Sequence, residues 1–222
     1  MVSKLSRSIK QYPALLTSKS LQMKKLFLMA AAIMTLSFLV VDPISKKERN
    51  YAAKLLKDTE KDLKDQLKGL SEAQLKFKPA PDRWSIEECV KHIAVSENMF
   101  WEMMDGAIKA TANPDKRSEI KVTDEQLVQK IEDRTNKVKT SEKLMPENSS
   151  FKDADEAFEA FKKQRDKLME YIKSTSDDLR NHVATTPLGM LDSYQLILFT
   201  AAHSNRHTQQ IIEVKADPNY PK

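Results

Sequence analysis

Four stretches of this chain, 46–69, 85–106, 153–174 and 191–215, repeat apolar residues at intervals of three and four and leave charges on the opposite side. That is the period of an amphipathic α-helix, whose apolar stripe has to be buried against another element. In the first stretch Tyr51, Leu55, Leu56, Leu63 and Leu67 share one side, and Gly69 is placed to stop the helix. The second opens at Ser85, where Ser85 and Glu88 have the spacing of a capping box. The third carries Ala157, Phe158, Phe161, Leu168, Tyr171 and Ile172. A shorter, mostly charged helix is expected from Thr123 to about Thr140, with Leu127, Ile131 and Val138 as its apolar contacts, and "TTPLG" reads as a loop before the last helix. Only 3 glycines are present, too few for a many-turned β protein. The expectation is an all-α fold, a four-helix bundle over residues 44–222.

Residues 1–43 are of a different kind. The apolar run "LFLMAAAIMTLSFLVV", residues 26–41, follows Lys24 and Lys25 and reads as a signal peptide or membrane anchor with its N-terminal end in the cytoplasm. The protein would then be exported, or held at the inner membrane if the segment is uncleaved. If the run is instead a buried core helix, the protein is cytoplasmic. "MKKLFLMAAA" resembles a bacterial signal-peptide start, so Met23 competes with Met1 as initiator. The first 25 residues also hold Lys4, Arg7, Lys10 and Lys19 and no acid. Taking those 6 cations from the 37 Lys and Arg leaves 31 against 32 acids. The remainder is close to neutral, without a basic stripe interleaved with aromatics, which argues against a nucleic-acid partner. Cys89 is the only cysteine, so no intrachain disulfide can form.

Two of the 4 histidines, His203 and His207, lie four apart in the last helix. Stepping by threes and fours through Leu196, Phe199, His203, His207, Gln210 and Val214 places both in the stripe that faces the core. On the second helix the series Cys89, His92, Val95 or Ser96, Met99 and Met103 turns His92 inward as well. Three inward imidazoles on two helices form a set of metal ligands, or three neutral side chains hydrogen-bonded in the core. Spacing alone leaves both open. A gluzincin-type protease is excluded, because Ser204 stands where that motif needs a glutamate.

The segments "PAPDRWSIEECVKHIAVSEN" and "RNHVATTPLGMLDSYQLILFTAAHSNRHTQQI" together resemble the DinB/YfiT-like family (DinB superfamily), over roughly residues 48–214. The telling parts are the Trp-Ser helix start, the Lys-His-Ile step and the His-x-x-Arg-His-Thr run. The resemblance implies a four-helix bundle binding one divalent metal ion through a histidine of the second helix and two of the fourth, which fall on His92, His203 and His207. Many relatives carry an acid where Asn205 stands. Zinc, nickel, iron and manganese all accept imidazole. Characterised relatives include thiol-dependent S-transferases and isomerases, so the resemblance implies a metal-dependent enzyme on a small-molecule substrate, with thiol transfer as its leading reaction. Metal-dependent hydrolysis is the alternative, and a non-catalytic bundle with a structural or absent metal is the other; a homodimer is left open.

Around the triad, Gln210 and Ser96 are placed to orient ligands, and Glu88 to serve the helix cap rather than the metal. Cys89, Met99, Met103 and Met104 read as core filler. His182 lies either at the site mouth or in a surface loop. Arg206 is expected to point away from the ligands and pair with an acid on a neighbouring helix.

Overall fold

The computed structural model describes residues 44–135 and 139–222. The apolar run 26–41 and Val138 lie outside them; among the described residues no helix is long and apolar enough to cross a membrane. The described residues form four long helices: α1 (Lys46–Leu67), α3 (Ile86–Lys109), α5 (Ala154–Ser174) and α6 (Ser193–Lys215). Two shorter ones, α2 (Glu72–Lys76) and α4 (Asp124–Glu132), lie in the connections. Side chains start each long helix. Ser45 with Glu48 and Ser85 with Glu88 form capping boxes, while Asp153 and Asp192 accept from the third backbone N–H of α5 and α6. Gly69, just past the end of α1, has φ +74°, a left-handed conformation that suits glycine.

Helix α6 packs against α1 and α3, and α5 packs against the same two, so the cross-section runs α1–α6–α3–α5. The consecutive long helices α1 and α3 therefore lie diagonally, as do α5 and α6. Short α4 lies along the outside of α6.

Three expectations need correction. The short helix stops at Glu132 rather than Thr140, because the Asp133 carboxylate accepts from the backbone N–H of Thr135 at 2.8 Å and turns the chain. The stretch read as a loop before the last helix is a β-hairpin, β1 (Val183–Thr186) against β2 (Gly189–Asp192), paired from Val183 with Asp192 to Thr186 with Gly189. Gly189 has φ +108°, which an L side chain would resist, and this closes the tight turn at Pro187 and Leu188. Helix α6 accordingly starts at Ser193, with Leu191 in the strand.

The core falls into two apolar clusters. One holds Leu56, Met104, Leu168, Ile172, Tyr194 and Leu198, and the other Leu63, Cys89, Ile93, Phe161, Ile211 and Val214. Between them along every long helix sits a polar layer of Thr59, Glu97, Arg165 and Ser204, all buried. The second cluster floors the histidine end of the bundle.

Candidate metal centre

His92 projects from α3, and His203 and His207 from successive turns of α6. The pairing of α3 with α6 brings the three rings together, with one ligand-capable nitrogen from each within 4.8 Å of the others. His92 Nε2 is 3.3 Å from His203 Nε2. Two imidazole nitrogens bound at 2.0–2.1 Å to one tetrahedral ion stand about 3.4 Å apart, so this spacing matches the bite of a metal. Among the described residues, no carboxylate or thiol joins the cluster.

The far side of two rings is already committed. His92 Nδ1–H donates to the Leu144 carbonyl at 2.8 Å, and His207 Nδ1–H donates to Gln210 Oε1 at 3.1 Å. Each bond selects the tautomer that turns the Nε2 lone pair inward, as histidine ligands require. Ser96 Oγ lies at 3.4 Å from His92 Nε2.

Burial also keeps the rings neutral. It pushes His92 down to about 4, against the opposing pull of the Leu144 carbonyl. His203 lies well below the usual histidine range through burial, then the proximity of His92 and Arg206. His207 is depressed likewise by burial, then by His203 and His92. Three neutral imidazoles offer their lone pairs near pH 7 without first losing a proton.

Aromatic rings wall the cluster. Trp84, just before the α3 cap, has its ring 4.8 Å from His92 and stacks on His207 at 5.8 Å. Phe100 meets His203 edge-on at 5.1 Å, and Phe199 stacks on it at 5.9 Å. On the open side lies a cavity of about 300 Å³, lined among others by Trp84, Arg134, Arg206, His207 and Gln210.

The other candidates are distributed as follows. Glu88 caps α3 and meets Lys78 at 2.8 Å. Cys89 is fully buried in apolar packing, which pushes its thiol up. Met104 is core, with Met103 packed against it. His182 is remote: its Nδ1 donates to the Ala107 carbonyl at 2.8 Å, near the far end of α3 and about 22 Å along that helix from His92. Asn205 donates to Glu132 at 2.8 Å. Arg206 reaches the end of α4, donating to the main-chain carbonyls of Ile131 and Asp133, with the Asp133 and Glu213 carboxylates near its guanidinium. Sequence reasoning missed Leu144, whose carbonyl carries no residue signature, and the roles of Trp84 and Arg134 around the rings.

Residues 55–211 match the sequence model of the DinB superfamily. The chain belongs to that superfamily. Among curated proteins it is 28% identical over 152 residues to YuaE of Bacillus subtilis (strain 168), an uncharacterized protein, covering 68% of this chain and 89% of that one. Among solved structures it resembles YfiT from Bacillus subtilis, described as a probable metal-dependent hydrolase with an unusual four-helix bundle topology. That match has a TM-score of 0.55 and 14% identity, and covers 80% of this chain and 91% of YfiT. At this identity the likeness establishes a shared four-helix-bundle fold. The diagonal placement of consecutive long helices is how this DinB chain realises it.

Proposed function

We propose that this DinB-superfamily protein is a divalent-metal-dependent hydrolase of a small-molecule substrate, with His92, His203 and His207 as the metal ligands. The observation that carries the reading is the inward convergence of three neutral imidazole nitrogens, two of them aimed by the hydrogen bonds their rings donate to the Leu144 carbonyl and Gln210 Oε1. The description of YfiT lends the reaction class. A set of three imidazoles suits zinc, nickel or iron better than the oxygen-seeking magnesium or calcium.

A divalent ion held by three neutral ligands keeps its full charge and open positions, supplying Lewis acidity toward a substrate carbonyl and toward water. The chain's own residues prepare that setting. The Leu144 carbonyl and the Gln210 amide hold the rings in their ligating tautomers. Trp84, Phe100 and Phe199 exclude bulk water from three sides, and the cavity beside His207 leaves one approach for substrate. An activated thiol can replace water as nucleophile at such a centre, so thiol-dependent S-transfer belongs to the same proposal as a second reaction.

The test is a panel of ester and amide substrates assayed with metal-loaded protein, with and without an added thiol. Turnover without thiol supports hydrolysis, and turnover only with thiol transfers the reading to an S-transferase. In His203→Ala an enzyme loses turnover with little change in melting temperature, whereas a structural metal site loses melting temperature first.

A further inference from the structure

One wall of the cavity beside His207 is a connection rather than a helix. Residues 139–149 bring Lys139, Thr140 and Met145 into the lining. They fold as two single 3-10 turns, Glu142–Leu144 and Pro146–Asn148, laid against α3. Their hydrogen bonds are almost wholly internal. The backbone N–H of Leu144 donates to the Ser141 carbonyl, Met145 to Glu142, Asn148 to Met145 and Ser149 to Pro146. The Asn148 side-chain amide closes back on the Glu142 carbonyl at 2.8 Å. Among the described residues a single hydrogen bond ties this strap to the bundle, from His92 Nδ1–H to the Leu144 carbonyl at 2.8 Å. Its donor is a residue of the histidine cluster.

We propose that binding of a divalent ion and closure of this strap are coupled, the ion fixing residues 139–149 against α3 and so completing the cavity wall. The proposal rests on the metal-centre reading above. The coupling runs through the two tautomers of His92. With the proton on Nδ1, the ring holds the Leu144 carbonyl and turns its Nε2 lone pair inward. With the proton on Nε2, the ring finds acceptors inside the cluster instead, His203 Nε2 at 3.3 Å and Ser96 Oγ at 3.4 Å. Nδ1 then sets a lone pair against a carbonyl oxygen, and the strap loses its tie. An ion at Nε2 leaves only the first tautomer. By drawing electron density from the ring it also makes Nδ1–H a stronger donor. Linkage makes the effect reciprocal: whatever docks the strap favours the ion, and whatever loosens the strap weakens the ion's hold. Loading the centre thereby also fixes Thr140 and Met145 in the cavity beside it.

The test is limited proteolysis of the full chain by a lysine-specific protease, metal-free and metal-loaded, with the bound ion measured in parallel. Zinc is used or, where zinc is not retained, the first of nickel, iron and manganese that is. Lys143 is exposed and immediately precedes Leu144, so a cut there requires the strap to lift. The ion should slow that cut at least about fivefold, the worth of one net hydrogen bond. The cut after Lys121, exposed in the connection before α4, should keep its rate. Asn148→Ala removes the bond to Glu142 that stiffens the strap and touches no ligand; its affinity for the ion should fall about threefold. A bound ion with Lys143 cut at its metal-free rate overturns the coupling and leaves the metal centre standing. Equal protection at Lys121 and Lys143, which reports global stabilisation, does the same, as does an unchanged affinity in Asn148→Ala. Failure to retain any of the four metals overturns the centre and the coupling together.

Discussion

Arg165 on α5 clasps Glu97 on α3 through two hydrogen bonds, Nε to Oε1 at 2.6 Å and Nη2 to Oε2 at 2.8 Å, with both side chains buried at the centre of the bundle. The same guanidinium donates to the Leu56 carbonyl and Thr59 hydroxyl of α1 and to Ser204 of α6. One side chain therefore ties all four long helices at one level. Ser204 follows His203, so the network also fixes the height of α6 where the site is built. Burial pushes the Glu97 carboxyl up, and the guanidinium pulls against it.

Removing one partner strands the other. Arg165→Met should destabilise the fold by about 3–5 kcal/mol, read from urea midpoints. Glu97→Met with Arg165→Met should recover most of the loss, because Thr59 and Ser204 also donate to backbone carbonyls of their own helices. A double variant as unstable as the single one would contradict a penalty that comes from an orphaned charge.

The pH response of the metal-free protein follows from the histidines. Unfolded imidazole titrates near 6.5, whereas His92 in the fold is held down to about 4 by burial, opposed by the Leu144 carbonyl. Between those values the unfolded chain binds the extra proton. Stability is therefore full above about pH 6.5 and falls as pH drops toward 4, by on the order of 3 kcal/mol for His92. Urea midpoints of chelator-treated protein at pH 7.5 and 5.0 check this. His92→Gln should flatten part of the dependence; an unchanged profile would contradict it.

Gln210→Ala leaves the three ligands in place but frees the His207 ring. Metal affinity should fall about 10–100-fold, measured by competition with a chromogenic chelator, with the melting temperature of the metal-free form little changed. An unchanged affinity would mean that the 3.1 Å bond does not hold the ligating tautomer.

The four long helices were readable because each has an apolar stripe of helical period and a polar cap residue at its start. The inward turn of His92, His203 and His207 followed from the same arithmetic. What escaped has particular reasons. Strands of four residues are too short to show a period, so the Val183–Asp192 hairpin read as a loop. Glu97 lies in the buried stripe of α3 with His92, Ile93 and Phe100, and Arg165 in that of α5 with Phe161 and Leu168. Two opposite charges in facing stripes were a legible sign of a buried pair, but which helices face each other is a tertiary fact. The Leu144 carbonyl, a main-chain atom, could come only from the fold.

Residues 26–41 carry a prediction of their own. With Lys24 and Lys25 before the apolar run, the protein should leave the cytoplasm. Fractionation followed by intact-mass measurement checks it. A shortened chain in the released fraction indicates cleavage, and a full-length chain in the membrane fraction indicates an anchor. A full-length cytosolic protein would contradict export.

The central claim is that His92, His203 and His207 hold one ion, and elemental analysis of the purified full chain beside its His92→Ala, His203→Ala and His207→Ala variants tests it most directly. The account predicts about one divalent ion per chain, reduced in each of the three variants while their helical content persists. Absence of bound metal, with no uptake when zinc, nickel, iron and manganese are offered in turn, would contradict it and leave three inward histidines that serve packing alone.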